Sequence, residues 1–433
     1  MIIILIGLSL LLILTLNKVS TLIASLVSVL FIIVFSGLPI LDSITGDYMS
    51  GFAGFVGNVW LMLLLGALFA KVMDITGAAR SIAQLIMSKF GAKRAVPAII
   101  VAGALLTYGG ISSMVACFAL YPIALTLFRD ANLPRKIIPG AIGAGMFTFI
   151  NMLPGNPSIM NIIPTKYLGT TPMAAPIIGI VCAIFTFVLT LVYFRYEIKK
   201  AQATGEVFLS DADTEKVLAK ADELEKIGNL PNPLLALLPP IAVVVTLNVI
   251  GADIVVALVV GIALCAALFF KNLKGIVQAF TDGANGAAVT AMTAGAIVAI
   301  GSIIRITPGF ERVVARVLEA CQTGGSPLAI FAAATSFLCG LNASGMGGLS
   351  TTLEALAKPF LEMGVNPQVL HRVGVIASTS LDSLPHSGGV VALLTITGIS
   401  YKEGYKPIFI TTVCITTLAL IIAVILGALL PIA

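Results

Sequence analysis

The sequence predicts an all-α polytopic membrane protein, and three observations support this fold class. Hydrophobic residues make up 58% of the 433 residues and charged residues only 10%, whereas a soluble domain carries about 25% charged residues. Apolar runs long enough to cross a bilayer recur from one end of the chain to the other. Continuous Leu, Ile, Val and Ala blocks stand where an outer-membrane barrel would show short alternating strands.

The elements follow one another in two similar sets, separated by a hydrophilic linker at 198–231 that we expect to be partly helical. The stretch Ile2–Leu16 has no basic segment before it and no clear cleavage site after it, so we interpret it as a retained helix. The N-terminal half, 1–197, contains predicted spans at 2–16, 18–38 and 55–77, a hairpin at 95–129 with its tip at 109–113, a span at 136–165 broken at 153–157, and a span at 172–195. The C-terminal half, 232–433, contains spans at 233–250, 252–270 and 284–305, a hairpin at 326–362 with its tip at 340–348, a span at 368–399 broken at 384–389, and a span at 406–430.

The two halves match at a nearly constant offset of 231 positions. Asp74-Ile75-Thr76 corresponds to Arg305-Ile306-Thr307, and Leu153-Pro154 corresponds to Leu384-Pro385. The Gly-rich hairpin tips correspond at the same offset. A period of this length predicts a duplicated half-transporter rather than a solenoid.

The distribution of basic residues predicts the orientation. With the N-terminus outside and each hairpin returning to its own side, all but six of the 25 Lys and Arg residues fall inside, as the positive-inside rule demands. Hairpins that crossed completely would place Arg129, Arg135 and Lys136 outside. The sequence therefore predicts two re-entrant hairpins, two inverted repeats and a cytoplasmic linker in the inner (plasma) membrane.

The two hairpin tips and two broken spans are the predicted substrate site. Non-helical backbone at membrane depth persists only where protein or a water-filled cavity covers it, and half-helix N-termini attract anions. Each polar group there could cap its helix, hold substrate, or do both. The candidate substrate-binding residues are Gly110, Ser112, Ser113, Asn151, Asn156, Ser158, Asn342, Ser344, Gly345, Ser387 and Gly388. Asn156-Pro157 is interpreted as a helix cap followed by proline at the first helical position.

Ionisable residues at depth suggest how ions couple to transport. Asp382 and His386 are four residues apart and would meet on one face if that turn is helical, either as a proton carrier or as a structural hydrogen bond. His371 beside Arg372 is expected to be solvated at the outer mouth. Asp74 and Arg305 are expected at opposite interfaces, and an i,i+4 pair is expected for Glu354 and Lys358.

Other function classes lack their signatures. There is no phosphate-binding GxxxxGK[ST] loop, no HExxH and no Gly-x-Ser-x-Gly elbow in a soluble context, so we expect no enzyme. The cysteines are scattered singly without metal-ligand spacing, and no metal or cofactor is expected. The net charge of +5 is spread among loops, which argues against nucleic acid. Transport must then draw on an ion gradient.

Two segments, Gly155–Thr170 and Leu370-His371-Arg372 with Leu381-Asp382-Ser383-Leu384-Pro385-His386, resemble the gluconate:proton symporter (GntP) family of the ion transporter superfamily, and the likeness covers nearly the whole chain. The resemblance implies an elevator-type homodimer that carries sugar acids, hydroxy acids such as 3-hydroxybutyrate or glycerate, or D-serine, usually with protons. It also implies that hairpin tips and broken spans bind substrate. Few basic side chains near the breaks favour a small monocarboxylate over a tricarboxylate.

The main hypothesis is therefore proton-coupled symport of a small organic anion. A sodium-coupled carboxylate carrier is the alternative, followed by a passive anion channel. An intramembrane enzyme is a remote option, because Asp382 and His386 lack a nucleophile and a motif that names a reaction.

Overall fold

The computed structural model describes residues 2–17, 19–91, 94–111, 113–226, 230–310, 312, 319, 324–342, 344–385 and 387–430. These residues form helices and connecting turns and contain no β-strand. Four helices are long and apolar enough to cross a membrane: Ile40–Ile75, Pro176–Ala203, Ile276–Arg305 and Tyr401–Leu429. Several shorter apolar helices accompany them. The all-α membrane fold class is confirmed.

The helices follow the predicted order. In the N-terminal half they are Ile2–Leu16, Thr21–Ser36, Ile40–Ile75, Ala78–Phe90, Ala95–Tyr108, Ser113–Asp130, Ile138–Phe147, Phe149–Met152, Ile159–Leu168 and Pro176–Ala203. After the linker helix Ala212–Lys226 they are Pro233–Ala236, Leu238–Asn248, Ile254–Leu268, Ile276–Arg305, Pro327–Asn342, Gly345–Glu362, Pro367–Ser378, Gly388–Thr397, Tyr401–Phe409 and Ile415–Leu429. π-Helical turns at Ser43–Tyr48 and Ile410–Cys414 lie within two of the long helices.

The helices Ile40–Ile75 and Ile276–Arg305 pack antiparallel along much of their length. Small residues permit the contact: a Cβ at Gly51 would collide with Ser302, and one at Gly295 would lie 2.9 Å from Val56 Cγ2. Both helices begin earlier than the predicted spans at 55–77 and 284–305, because the segments just before these spans, 40–54 and 276–283, are helical too.

Both predicted hairpins are present. Hairpin one consists of Ala95–Tyr108 and Ser113–Asp130, and its tip includes Gly110 at φ +86°, a left-handed conformation that favours glycine. Hairpin two consists of Pro327–Asn342 and Gly345–Glu362. Ser344 is the N-cap of its second arm, accepting a hydrogen bond from Gly347 N at 3.1 Å.

Both predicted interruptions are also present, but their bounds differ from expectation. In break one, residues 153–158, the following helix begins at Ile159 with Ser158 as its N-cap, so the predicted Asn156-Pro157 helix start is wrong. In break two, residues 379–387, the preceding helix ends at Ser378 and the next begins at Gly388. Asp382 therefore lies in non-helical chain, and the described residues 382–385 do not form the helical turn that was expected to bring it to His386. His386 itself lies outside the described residues.

The linker contains the predicted helical part, Ala212–Lys226, and it is tied to the start of the broken span in the N-terminal half. Arg135 Nη1 lies 2.8 Å from Asp211 Oδ2, and Lys136 Nζ lies 2.5 Å from Glu206 Oε2. The helix Pro176–Ala203 continues past the predicted boundary at 197. These contacts place the linker and the segment 135–137 at one end of the helix bundle.

Candidate functional site

Hairpin one lies against break one. The Tyr108 hydroxyl donates a hydrogen bond to Pro154 O at 3.0 Å. A Cβ at Gly110 would lie 3.9 Å from Pro157 Cγ. The tip and the interruption, 40 or more residues apart in sequence, thus form one region.

Hairpin two lies against break two and also reaches the helix that follows break one. A Cβ at Gly345 would lie 2.7 Å from Ser378 O, 3.0 Å from Asp382 Oδ2 and 3.0 Å from Met160 Cε. Because no side chain fits in this space, the backbone at the start of the second arm approaches both interruptions closely. Glycine at 345 permits that approach.

The helix after break two packs against hairpin one, which completes the connection. Tyr121 Oη of hairpin one donates to Thr397 O at 2.8 Å. The same helix also reaches the broken span of the N-terminal half, where a Cβ at Gly389 would lie 3.6 Å from the Phe147 ring. Contacts therefore link all four predicted places, the two tips and the two breaks. Each half contributes a helix that packs against the hairpin of the other half.

Side chains from several helices donate hydrogen bonds to the backbone carbonyl oxygens in and next to break one. The pairs are Arg372 Nη1 to Met152 O (3.3 Å) and Leu153 O (3.5 Å), Tyr108 Oη to Pro154 O (3.0 Å), Asn248 Nδ2 to Gly155 O (2.8 Å) and Asn161 Nδ2 to Asn156 O (2.8 Å). Carbonyl groups that would repel an anion are thus engaged within the protein. The groups left for a ligand are predominantly donors.

Those donors are at the start of the helix Ile159–Leu168. The N–H groups of Ile159 and Met160 precede the first intrahelical hydrogen bond and have no acceptor in the described part of the chain. Among the residues that the structure describes, Ser158 makes no capping bond and its buried Oγ has no hydrogen-bond partner. A buried hydroxyl without a partner, beside free N–H groups at the positive end of a helix dipole, is suited to an anionic oxygen.

Break two repeats part of this arrangement. Ser387 is the N-cap of Gly388–Thr397 and its side chain does not cap that helix. Two carbonyls of the break are again engaged, since Tyr405 Oη donates to Ser383 O at 3.2 Å and Tyr401 Oη donates to Pro385 O at 2.7 Å. Gly388 is exposed, so the helix start is open to a ligand.

The remaining candidates occupy varied positions. Asn156 is fully buried, and its amide bridges the break, with Nδ2 donating to Ile150 O at 2.7 Å and Oδ1 accepting from Ser158 N at 2.8 Å. Ser113 and Asn151 are half-buried. Ser112 lies outside the described residues, and so does the side chain of Asn342, whose backbone ends the first arm of hairpin two.

Asp382 is the acidic group within the breaks. Its Oδ1 accepts a hydrogen bond from Ser383 Oγ at 2.8 Å, and its Oδ2 faces Gly345 at the start of the second arm of hairpin two. A carboxylate at a helix N-terminus is stabilised by the helix dipole. Movement of that arm would therefore change the surroundings of this carboxyl group.

The sequence-based expectation that His371, beside Arg372, is solvated at the outer mouth is wrong. Both side chains are fully buried in the helix Pro367–Ser378. His371 Nδ1 lies 2.6 Å from Thr170 Oγ1. His371 Nε2 and Arg372 Nη1 each lie 3.1 Å from Asn161 Oδ1. The signal in the sequence was an adjacent pair of ionisable residues within an otherwise apolar run, which indicates function by default.

The charged residues near hairpin two also pair differently from expectation. Glu354 contacts Arg305 at 2.7 Å rather than Lys358, and Lys358 lies 3.9 Å from Glu362. The Arg305–Glu354 pair joins the long helix Ile276–Arg305 to the second arm of hairpin two. The i,i+4 interpretation of Glu354 and Lys358 is therefore wrong.

Two cavities flank the region where the four places meet. One, of about 680 Å³, lies among the helix Ala78–Phe90, the second arm of hairpin one, the linker and Ile396. The other, of about 510 Å³, lies between Tyr167 and the second arm of hairpin two. Neither is lined by the predicted substrate-binding residues. They occupy corresponding places in the two halves, beside the second arm of each hairpin.

The fold and the pair of interrupted helices define a class of protein: a multi-pass helical membrane transporter. The family model of the GntP family permeases matches residues 1–430 of this chain. The chain belongs to this family. It is accordingly a transporter and not an enzyme.

The chain is similar over most of its length to one curated relative and over shorter stretches to others. It is 34% identical to the uncharacterized transporter YxjC of Bacillus subtilis (strain 168), covering 87% of each chain. It is 27% identical to a high-affinity gluconate transporter of Escherichia coli (strain K12) over 36% of each chain. It is 36% identical to a low-affinity gluconate transporter of the same strain over 24% of each.

Among solved structures, the chain is similar to the YdaH transporter of Alcanivorax borkumensis, a crystal structure described as having an unusual topology. The TM-score is 0.60 at 14% identity, covering 89% of this chain and 88% of that one. At this identity the likeness concerns the fold.

Proposed function

We propose that the chain is a secondary active transporter that carries a small organic anion, a hydroxy or sugar acid such as gluconate, in symport with protons. One observation carries the proposal. Two ten-residue helices, Ile159–Leu168 and Gly388–Thr397, start at the breaks with serine N-caps that do not cap. The first N–H groups of these two helices and their serine hydroxyls offer hydrogen-bond donors at both breaks, as recognition of an anion requires.

The substrate class follows from the number and kind of these donors and from the relatives. Gluconate transporters are among the similar proteins. Hydroxyl and N–H donors suit one carboxylate together with neighbouring hydroxyl groups, and a tricarboxylate would call for more positive charge. Gluconate, 3-hydroxybutyrate, glycerate and D-serine are the candidates.

The proposed coupling group is Asp382, assisted by His386. Asp382 lies against the start of the second arm of hairpin two. When that arm moves, the distance from the carboxyl to the positive end of the helix dipole and the access of solvent to the carboxyl change together, so the carboxyl can take up or release a proton. A sodium-coupled carboxylate carrier is the alternative. A passive anion channel would need no such group.

The proposed motion is of the elevator type, in a homodimer built from inverted repeats. Two observations support it. The helices after the breaks pack reciprocally on the hairpins of the opposite half, at positions related by the offset of 231. The contact of Lys166 Nζ with Asn58 O and the Arg305–Glu354 pair join this region to the two long packed helices, and a sliding motion would break both contacts. The two cavities would serve as inner and outer vestibules.

The proposed location is the inner (plasma) membrane, with the N-terminus outside and the linker cytoplasmic. The excess of Lys and Arg on one side supports this orientation. The ion pairs of Arg135 and Lys136 with the linker agree with it, since they hold the linker beside basic residues predicted to be inside.

Uptake into proteoliposomes tests the proposal. The purified protein is reconstituted, and radiolabelled gluconate, 3-hydroxybutyrate, glycerate and D-serine are added with and without an inward proton gradient. We expect at least one acid to accumulate only with the gradient. Uptake that follows a sodium gradient instead would favour the alternative, flux without accumulation would indicate a channel, and no uptake of any of them would contradict the proposal.

A further inference from the structure

The two breaks differ in charge. Beside break one lies Arg372, a fully buried cation. Its guanidinium donates to Ala174 O (2.9 Å), Pro172 O (2.9 Å), Asn161 Oδ1 (3.1 Å), Met152 O (3.3 Å) and Leu153 O (3.5 Å). Every one of these acceptors is a neutral oxygen. The described part of the chain contains no ion pair that neutralises this charge.

Break two carries the opposite sign. Its acidic group is Asp382, whereas break one contains no acidic residue. The hydroxyls of Tyr401 and Tyr405 donate to carbonyls of break two, as the guanidinium does at break one, without adding charge. At the offset of 231, the position corresponding to Arg372 (372 − 231 = 141) is Ala141. The buried cation is therefore a feature of one break only.

The guanidinium is connected to the donor set at break one through two amide side chains. Arg372 donates to Asn161 Oδ1, Asn161 Nδ2 donates to Asn156 O at 2.8 Å, and Asn156 Oδ1 accepts from Ser158 N at 2.8 Å. The positive charge of Arg372 is thus separated from the start of the helix Ile159–Leu168 by the side chains of Asn161 and Asn156, and a ligand at that helix start would not touch the guanidinium. A buried charge acts over such a distance because the protein interior screens it less than water does.

We propose that Arg372 sets the orientation in which a hydroxy acid binds. The carboxylate lies at break one, on Ser158 Oγ and the N–H groups of Ile159 and Met160, and the hydroxyl-bearing end points toward break two and Asp382. A carboxylate at break two would be repelled by Asp382 whenever Asp382 is ionised, whereas substrate hydroxyls can form hydrogen bonds with Asp382 in either protonation state. Arg372 is a positioning residue in this arrangement. The inference rests on the proposed function, because it assumes that the donors at the breaks hold an organic acid.

Binding of gluconate and of its uncharged amide, gluconamide, tests the inference. Dissociation constants are measured for the purified protein, the amide by competition with radiolabelled gluconate. Arg372→Gln should weaken gluconate at least about tenfold, the effect of a unit charge acting across the protein interior, and change gluconamide less than threefold. Arg372→Lys, which keeps the charge, should retain more gluconate affinity than Arg372→Gln.

The controls separate orientation from folding. Arg195→Gln alters an exposed arginine and should change neither ligand. If Arg372→Gln does not yield a folded protein, Asn161→Asp places a carboxylate on the guanidinium and should give the same loss of preference for gluconate over the amide. Equal weakening of both ligands, or equal losses in the Lys and Gln variants, would overturn the inference. Wild-type protein that binds no gluconate would instead contradict the proposed substrate.

Discussion

Gly345 and Asp382 are in such close contact that a single methyl group at position 345 would lie 3.0 Å from the carboxylate oxygen and 2.7 Å from Ser378 O. The start of hairpin two therefore rests on the acidic group of break two. Any movement of the hairpin changes the environment of that acid.

We expect Gly345→Ala to reduce transport at least about tenfold, because the backbone carbonyl of Ser378 cannot yield as a flexible side chain can. Initial uptake rates in proteoliposomes measure the effect. Gly57→Ala is the matched control, since a Cβ there meets nothing within 4 Å. Normal uptake by Gly345→Ala would show that the close contact is dispensable.

We expect Ser158→Ala to separate binding from stability. Its Oγ has no partner within the described protein, so its removal breaks no internal hydrogen bond and should leave the melting temperature of the ligand-free protein unchanged. The increase in melting temperature on adding substrate should be reduced, because a substrate contact is lost.

Two serines serve as comparisons for that experiment. Ser302→Ala removes another buried hydroxyl, on the long helix Ile276–Arg305, that has no partner among the described residues, and it should preserve the substrate-induced shift. Ser344→Ala removes a helix cap and should destabilise the ligand-free protein by about 1 kcal/mol. A full substrate-induced shift in Ser158→Ala would remove this serine from the site.

We expect Asn156→Ala to impair both stability and binding. Its buried amide makes two hydrogen bonds across break one, and leaving the carbonyl of Ile150 without that donor costs about 1–3 kcal/mol. Thermal unfolding and substrate affinity measure the two effects. Asn342→Ala, at the tip of hairpin two, should abolish binding if its side chain contacts substrate, and wild-type affinity in both variants would contradict the assignment of the site.

We expect Asp382→Asn to uncouple transport. An amide can still accept the hydrogen bond from Ser383 but cannot carry a proton, so accumulation driven by a proton gradient should be lost while exchange of internal for external substrate continues. Comparing gradient-driven uptake with counterflow in the same vesicles checks this. Gradient-driven accumulation at the wild-type level would assign coupling elsewhere.

We expect Asp211→Asn to loosen the linker. Hydrogen bonds from Thr214 and Arg135 hold the pKa of the Asp211 carboxyl well below its usual range. A depressed folded-state pKa means that the stabilisation is fully present at pH values above the carboxyl's ordinary pKa and is lost as the pH falls through the folded-state value. Near neutral pH the Asp211 carboxyl remains ionised, so only the substitution should break its contact with Arg135. Limited proteolysis of the linker at 204–211 should then be faster in Asp211→Asn than in the wild type. Asp213→Asn is the control, since its carboxyl is exposed and pairs only with Lys216 in the described structure.

The sequence predicted the hairpins and breaks because their signals are local. Glycine and serine interrupt apolar runs at Gly110 and Gly345, and no packing partner is needed to interpret them. The start of break two at Thr379 was missed, since the Leu384-Pro385 pair marks only one point within the interruption. Where a helix unwinds upstream of a proline depends on the tertiary contacts that receive its freed groups.

Asn-Pro pairs show the same limit. Asn366-Pro367 is a cap followed by proline at the first helical position, with the Asn366 side chain accepting from Gln368 N at 2.8 Å. Asn156-Pro157 has the same letters, yet its helix begins at Ile159 because Ser158 remains extended at ψ 148°. The burial of His371 and Arg372 was likewise unpredictable from local pattern, since their partners lie about 200 residues away in the other half.

Those distant partners have a consequence for biogenesis. Break one acquires its shape from an arginine that is synthesised more than 200 residues later, and each half supplies a helix to the hairpin of the other. The proposed binding site therefore requires both halves. On this proposal, a ribosome must synthesise almost the entire polypeptide before a substrate molecule can be bound.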